Sequence, residues 1–392
     1  MFNSLKPKTL VAMFAIMAVL LIASLACGST ATAVPQIKEV IKEVIKEVEV
    51  IKEVIKEVEV IKEVEVIKVV PKEVIKEVEV IKEVIKEVLA TPVPAAKETI
   101  VFSDLNWSSA ELQTRIAQYI VEHGYGYPVD AIFGDTISLQ VGLANGDTQV
   151  TMEIWLPNQQ VWWDKQLKVG AVIPVGKSLD DNWQSAFVVP TYVVEANPGL
   201  VSVSDLPEYM DLFVTPESNG KALLVSCLAG WACEKLNESQ VIEYGLADVI
   251  ELQTPGSMAA LDAHITGAYE KGEPALFYYW GPTKIAAELD LTVLEEPVCA
   301  AGAGPESGCA YPLARVLIAV HPSLIQRAPD VVEMLRKWNY TAAAQVAAEG
   351  WMSDNEATSE EAAINFLKTQ DVWQEWVSDD AAALLATALA AE

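Results

Sequence analysis

Beyond residue 97, segments with strand character and segments with helix character take turns along the 392-residue chain. That alternation restricts the fold more than any other feature. A strand is expected over 99–104. A helix follows over 109–123, with Ser108 or Ser109 as its cap, Leu112, Ile116 and Ile120 on one face, and Gly124 as its stop. A strand over 129–134, a helix over 136–143 closed by Asn145-Gly146, and a strand over 150–155 complete a first unit. A second unit repeats the pattern: strand 222–226, helix 234–244, strand 248–251, helix 257–271 and strand 275–280. Strands alternating with helices give an α/β fold with largely parallel sheets. A further strand over 313–320 and a helical C-terminal third from 328 bring the chain back. Two such units with a long return imply two lobes around a cleft.

Three tryptophans stand where these strands run out. They lie in Glu153-Ile154-Trp155-Leu156-Pro157, in Cys227-Leu228-Ala229-Gly230-Trp231-Ala232-Cys233-Glu234 and in Phe277-Tyr278-Tyr279-Trp280-Gly281-Pro282. Ligands of open α/β sheets bind in the crevice beyond the carboxyl ends of the strands. Indole faces gathered there suit a quaternary ammonium, which the ring quadrupole attracts. The loop at Trp231 leads from a strand into a helix, and the unpaired N–H groups of a helix start attract an anion. A Cys227–Cys233 bridge would hold that loop rigid, so one loop could grip both ends of a betaine. Trp107 also follows a strand end, as a fourth wall or as core. Tyr278 and Tyr279 point to opposite faces by strand alternation, and at least one of Trp162 and Trp163 belongs to the core.

The head of the chain reads as a targeting segment. Lys6 and Lys8 precede an uncharged apolar run over 10–25, then Ala26, Cys27 and small polar residues. This pattern looks like a lipoprotein signal cleaved before Cys27, which is then acylated; a plain secretory signal or an uncleaved anchor is the other reading. Either way the bulk of the protein lies outside the cytoplasmic membrane. Residues 37–88 are nearly pure Ile-Lys-Glu-Val units holding 11 Lys and 14 Glu. Their spacing fits an amphipathic helix, whereas their β-branched content favours strands. We read a stalk, closed by Thr91-Pro92-Val93-Pro94, that would reach ~80 Å if helical. The four remaining cysteines suit an exported chain. Their spacings favour bridges 227–233 and 299–309 over four buried thiols, and neither spacing is that of a zinc site. Beyond the stalk the formal charge is −27, which argues against nucleic acid as a partner.

At this point residues 97–392 resemble the periplasmic glycine betaine/proline betaine-binding proteins of ABC importers. The residues that carry the resemblance are Leu212-Phe213, Asn219-Gly220-Lys221, Cys227, Gly230-Trp231, Cys233-Glu234, Tyr269, Gly272-Glu273-Pro274 and Trp280, together with Trp155-Leu156-Pro157 and Trp376-Val377. The resemblance implies a two-lobed periplasmic-binding-protein-like fold that closes on its ligand. It also implies a Trp155, Trp231 and Trp280 cage around trimethylammonium, and a carboxylate held by backbone N–H groups at Trp231, Ala232 and Cys233. Two departures leave the ligand open among glycine betaine, proline betaine, choline and carnitine. Ala232 stands where the family's Gly follows the loop Trp. Trp280-Gly281-Pro282 is followed by Thr283-Lys284, where the family has His or Tyr and then Trp.

The expected organisation is a signal over 1–27, the stalk and linker over 28–96, a first lobe over 97–190, a second over 191–315, and a return to the first over 316–392. Partners implied by the resemblance are an ABC permease and its ATPase, with osmoprotection as the purpose and a lipid anchor at the membrane. Neither a cofactor nor a metal is expected. His123, His264 and His321 stand near no nucleophile motif, so no catalytic residue is assigned. The rival reading is a stalked extracellular sensor of the same ligands.

Overall fold

The computed structural model describes residues 96–179 and 185–392. The signal segment, Cys27, the stalk and the linker to residue 95 lie outside the described residues. Ten strands form two five-stranded sheets: β1 (Ile100–Leu105), β2 (Val129–Gly134), β3 (Val150–Leu156), β4 (Ile173–Lys177), β5 (Ser185–Pro190), β6 (Ala222–Val225), β7 (Ile250–Gln253), β8 (Leu276–Trp280), β9 (Leu291–Val293) and β10 (Arg315–Val320). The first sheet has the order β2-β1-β3-β10-β4 and the second β7-β6-β8-β5-β9. In each, four strands run one way and one runs against them, β10 in the first sheet and β5 in the second. The α/β class and the two lobes are therefore as expected.

The middle strand of each sheet, β3 in the first and β8 in the second, is buried along its whole length, as helices on both faces of a parallel sheet require. Both strands end beside a cis X-Pro peptide, Leu156-Pro157 and Gly281-Pro282. Three strands escaped the periodicity. β4 and β9 are short and only half buried. β5, the continuous apolar run Ser185–Pro190, pairs antiparallel with β8 and β9. It thus belongs to the second sheet, so the chain has changed sheets before residue 185, ahead of the expected boundary at 190. Helix starts also moved. The helix expected over 109–123 begins at Ser108 with Trp107 at the N-cap position and no side-chain cap. The helix expected from 234 begins at Ala232, with Trp231 at the N-cap position and no side-chain cap.

Both expected disulfides are present, Cys227–Cys233 and Cys299–Cys309. The second loop braces the first. Tyr311 Oη donates to Asn237 Oδ1 at 2.6 Å, and Asn237 Nδ2 donates to Ser226 Oγ at 2.8 Å beside Cys227. Gln240 Nε2 donates to the Cys309 carbonyl at 2.8 Å. Asn237 and Gln240 are fully buried on the Ala232–Glu243 helix, so the loop supplies partners that solvent cannot. Replacing Tyr311 by Phe is expected to orphan the Asn237 acceptor and cost about 1–3 kcal/mol. Urea unfolding should register this, and an unchanged midpoint would show that Asn237 had found another donor.

Candidate functional site

All six residues singled out for a ligand line one cleft: Trp107, Trp155, Trp231, Ala232, Cys233 and Trp280. Among the described residues, Thr136, Asn158, Gln159, Ser185 and Tyr278 also line it, and the walls enclose a cavity of about 40 Å³. The topology explains the convergence. Trp155 and Trp280 end the middle strands of the two sheets, Trp107 follows β1, and Trp231 follows β6. The cleft thus lies beyond strand ends of both sheets, where α/β folds leave a crevice.

Trp231 is the hub of the aromatic cluster. Its ring meets Trp107 edge-on at 5.3 Å and Trp280 edge-on at 5.2 Å between centroids. Edge-to-face contact sets the positive rim of one ring against the negative face of another. Its Nε1 donates to Asn106 Oδ1 in the first lobe at 2.6 Å. Trp107 Nε1 and Trp155 Nε1 both donate to Glu153 Oε2, each at 2.7 Å. Strand alternation accounts for Tyr278: it shares a face with Trp280 and donates to Ser185 Oγ at 2.9 Å, while Tyr279 turns away to Asp262. Burial pushes the Tyr278 phenol up to well above its ordinary range, so it stays a neutral donor.

The floor of the cleft on the second lobe is a helix start. Trp231 occupies the N-cap of the Ala232–Glu243 helix with extended backbone. The Gly230 N–H donates to Glu234 Oε2 at 3.1 Å, and the Glu234 N–H to the Trp231 carbonyl at 3.2 Å. Among the described residues, the N–H groups of Ala232 and Cys233 find no protein acceptor. They are unpaired donors at the positive end of a helix dipole.

The lobes touch here. Ile137 N–H donates to the Gly230 carbonyl at 3.2 Å. Gly230 has φ +81°, and a Cβ on it would lie 2.6 Å from Asp135 Cγ. Asp135 is fixed as the N-cap of the Thr136–Asn145 helix. A second bridge runs through Glu349, on the C-terminal Ala342–Asn355 helix. Its carboxylate accepts from Ser108 Oγ at 2.5 Å, from the Lys284 N–H at 2.6 Å and from Gln345 Nε2 at 2.7 Å. Burial pushes the Glu349 carboxyl up, and these donors oppose it. Ser108, expected as a helix cap, is instead spent on Glu349.

Sequence reasoning missed the polar lining. Thr136, Asn158 and Gln159 sit in first-lobe loops and helix starts that carry no motif, and Ser185 begins an unrecognised strand. Thr283 and Lys284, which replace the family's aromatic residues, do not line the cleft. Thr283 caps the Lys284–Glu288 helix, and Lys284 Nζ pairs with Glu288 at 2.8 Å. None of the three histidines lines the cleft either.

Residues 98–369 match the family described as the substrate binding domain of ABC-type glycine betaine transport systems. The glycine betaine/proline betaine-binding periplasmic protein of Escherichia coli (strain K12) is 33% identical over 98 residues, 24% of this chain and 29% of that one. Matches to the curated relatives span less than a third of each relative's own length. The ProX glycine betaine, L-proline-binding protein from Borrelia burgdorferi superposes with a TM-score of 0.62 at 19% identity, covering 73% of this chain and 99% of that one. An ABC-transporter choline binding protein in complex with choline gives 0.62 at 21% identity, covering 74% and 98%. At such identities the superpositions establish the fold.

Gly230→Ala is expected to push the Asp135 turn away from the Trp231 loop, adding roughly 1–3 kcal/mol of backbone strain. Amide hydrogen exchange at Ile137 should then rise; wild-type protection there would mean that the lobes do not depend on this approach.

Proposed function

Because the chain belongs to the family of substrate-binding domains of ABC-type glycine betaine transport systems, we propose that it captures a quaternary-ammonium solute for an importer. The solute is glycine betaine or a relative such as proline betaine, choline or carnitine. One observation carries this reading: four tryptophans from both lobes line a cleft whose floor is a helix start with two unpaired N–H groups. Trp107 and Trp155 form the first-lobe walls, and Trp231 and Trp280 the second-lobe walls. The trimethylammonium sits among the rings, and a carboxylate, where the ligand has one, takes the N–H groups of Ala232 and Cys233. Walls on both lobes mean that bound ligand favours the closed state. The closed form then docks on a permease coupled to its ATPase.

The N-terminal part of the proposal is an anchor. Acylation of Cys27 holds the chain on the outer face of the cytoplasmic membrane, with residues 28–96 lying in sequence between the anchor and the domain. The lobes run over 97–179 with 315–392, and over 185–314. Cys27→Ala is expected to move the chain from the membrane fraction to the soluble exported fraction; an unchanged membrane fraction would point to an uncleaved anchor.

Binding is tested by titrating the full chain with the four named solutes, following tryptophan fluorescence and calorimetry. Saturable binding of at least one is expected, and silence toward all four would overturn the reading. Trp231→Ala should then weaken the best ligand by about 2- to 30-fold, the equivalent of ~0.5–2 kcal/mol for one aromatic face. Unchanged affinity would remove Trp231 from the cage.

A further inference from the structure

The cleft suits a cation, yet among the described residues no acidic side chain lines it. The charge lies one layer behind. Glu153, on β3, is completely buried, and its Oε2 accepts from two walls at once, Trp107 Nε1 and Trp155 Nε1 at 2.7 Å each. Its Oε1 accepts from Gln113 Nε2 at 2.8 Å. Gln113 Oε1 in turn accepts from Trp338 Nε1 and from Ser178 Oγ, each at 3.0 Å.

Geometry favours the charged form. An indole nitrogen only donates, so Trp338 draws the Gln113 oxygen toward itself and turns the Gln113 amide N–H toward Glu153. Glu153 is then met by two indole donors and one amide donor, with the Ser109 hydroxyl also beside it. None of the first three can accept a proton, whereas a carboxylate satisfies all of them and can take the Ser109 hydroxyl as a fourth donor. Burial pushes the Glu153 carboxyl up, and these same donors oppose it.

We propose that Glu153 is the positioning residue of the cage and the source of its preference for a full positive charge. It rests on the quaternary-ammonium reading above and deepens it. Two effects follow from one carboxylate. Sharing an acceptor locks the two first-lobe indoles at a fixed mutual angle. Donation to an anion also leaves each indole more electron-rich, which deepens the negative potential of the face that meets the ligand. Away from water the carboxylate itself attracts the cation with little screening. A neutral ligand of the same shape gains only the first effect.

The test uses ligand pairs that differ by carbon for nitrogen: glycine betaine against 3,3-dimethylbutanoate, and choline against 3,3-dimethylbutan-1-ol. Calorimetry is run on the full chain and on Glu153→Gln. The wild type is expected to bind the ammonium member at least about tenfold more tightly. Glu153→Gln should lower that ratio by roughly tenfold through weaker ammonium binding, with the carbon isostere within about twofold of wild type. A purely structural role would weaken both members alike. An equal loss, or an unchanged ratio, overturns the proposal. A wild type silent toward both ammonium ligands is titrated with proline betaine and carnitine, and silence toward all four overturns the functional reading beneath it. Should Glu153→Gln lose cooperative unfolding, Glu153→Asp is measured in its place. Its acceptor is drawn back by one methylene and cannot hold both indoles, so the ratio should fall at least about threefold, and a wild-type ratio overturns the proposal.

Discussion

The edge-on contacts of Trp231 are the interaction on which the rest of the site depends. One ring touches a first-lobe wall and a second-lobe wall at nearly equal distance, and its N–H reaches Asn106 across the cleft. Those contacts need the ring to stand at one place and one angle. The backbone supplies this: Trp231 stands at the N-cap position of a helix, and the Cys227–Cys233 bridge ties the strand end to that helix start. Removing the bridge would leave the cluster with a hub on a free loop.

The buried polar groups of the second lobe serve that loop. Asn237 spans Tyr311 on one side and Ser226 on the other, and Gln240 holds the Cys299–Cys309 loop by a backbone carbonyl. Tyr311 also packs against Tyr278, a lining residue, at 5.8 Å. The first lobe follows the same plan with different chemistry: Glu153, Gln113, Ser178 and Trp338 form a continuous hydrogen-bonded chain behind the walls. In both lobes an aromatic surface is held from behind by buried, hydrogen-bonded side chains, because leaving a buried donor orphaned costs more than the bond is worth.

The sequence disclosed the strands that alternate with helices, because their periodicities differ from their neighbours'. It also disclosed four of the aromatic walls, because tryptophan beside a strand end is rare enough to notice. It did not disclose β5, whose apolar run has no alternation, and so the change of sheets was placed a strand too late. Nor did it disclose Thr136, Asn158, Gln159 and Ser185. Single polar residues in short loops have no spacing to betray them, and only the tertiary approach of the two lobes gathers them. Glu153 was visible beside Trp155, but a carboxylate in a strand reads as solvent-facing until its strand is found in the middle of a sheet. Ser108 looked like a cap because sequence shows the helix start and hides Glu349, 241 positions away.

The order of strands in the first sheet has a consequence for assembly in time. β10 lies between β3 and β4 and is antiparallel to both. Among the described strands β4 pairs with no other, so within them it stays unpaired until the chain has been made to residue 320. Trp155 faces Val316 across that same ladder. The second sheet draws all its strands from Ser185–Val293 and can close while the first is still missing an inner strand. The half of the site carrying Trp231 and Trp280 is therefore available as a template first, and the half carrying Trp155 is finished by the last strand to arrive. A chain cut short before β10 would present a completed second lobe beside two exposed strand edges, the kind of edge that recruits other chains.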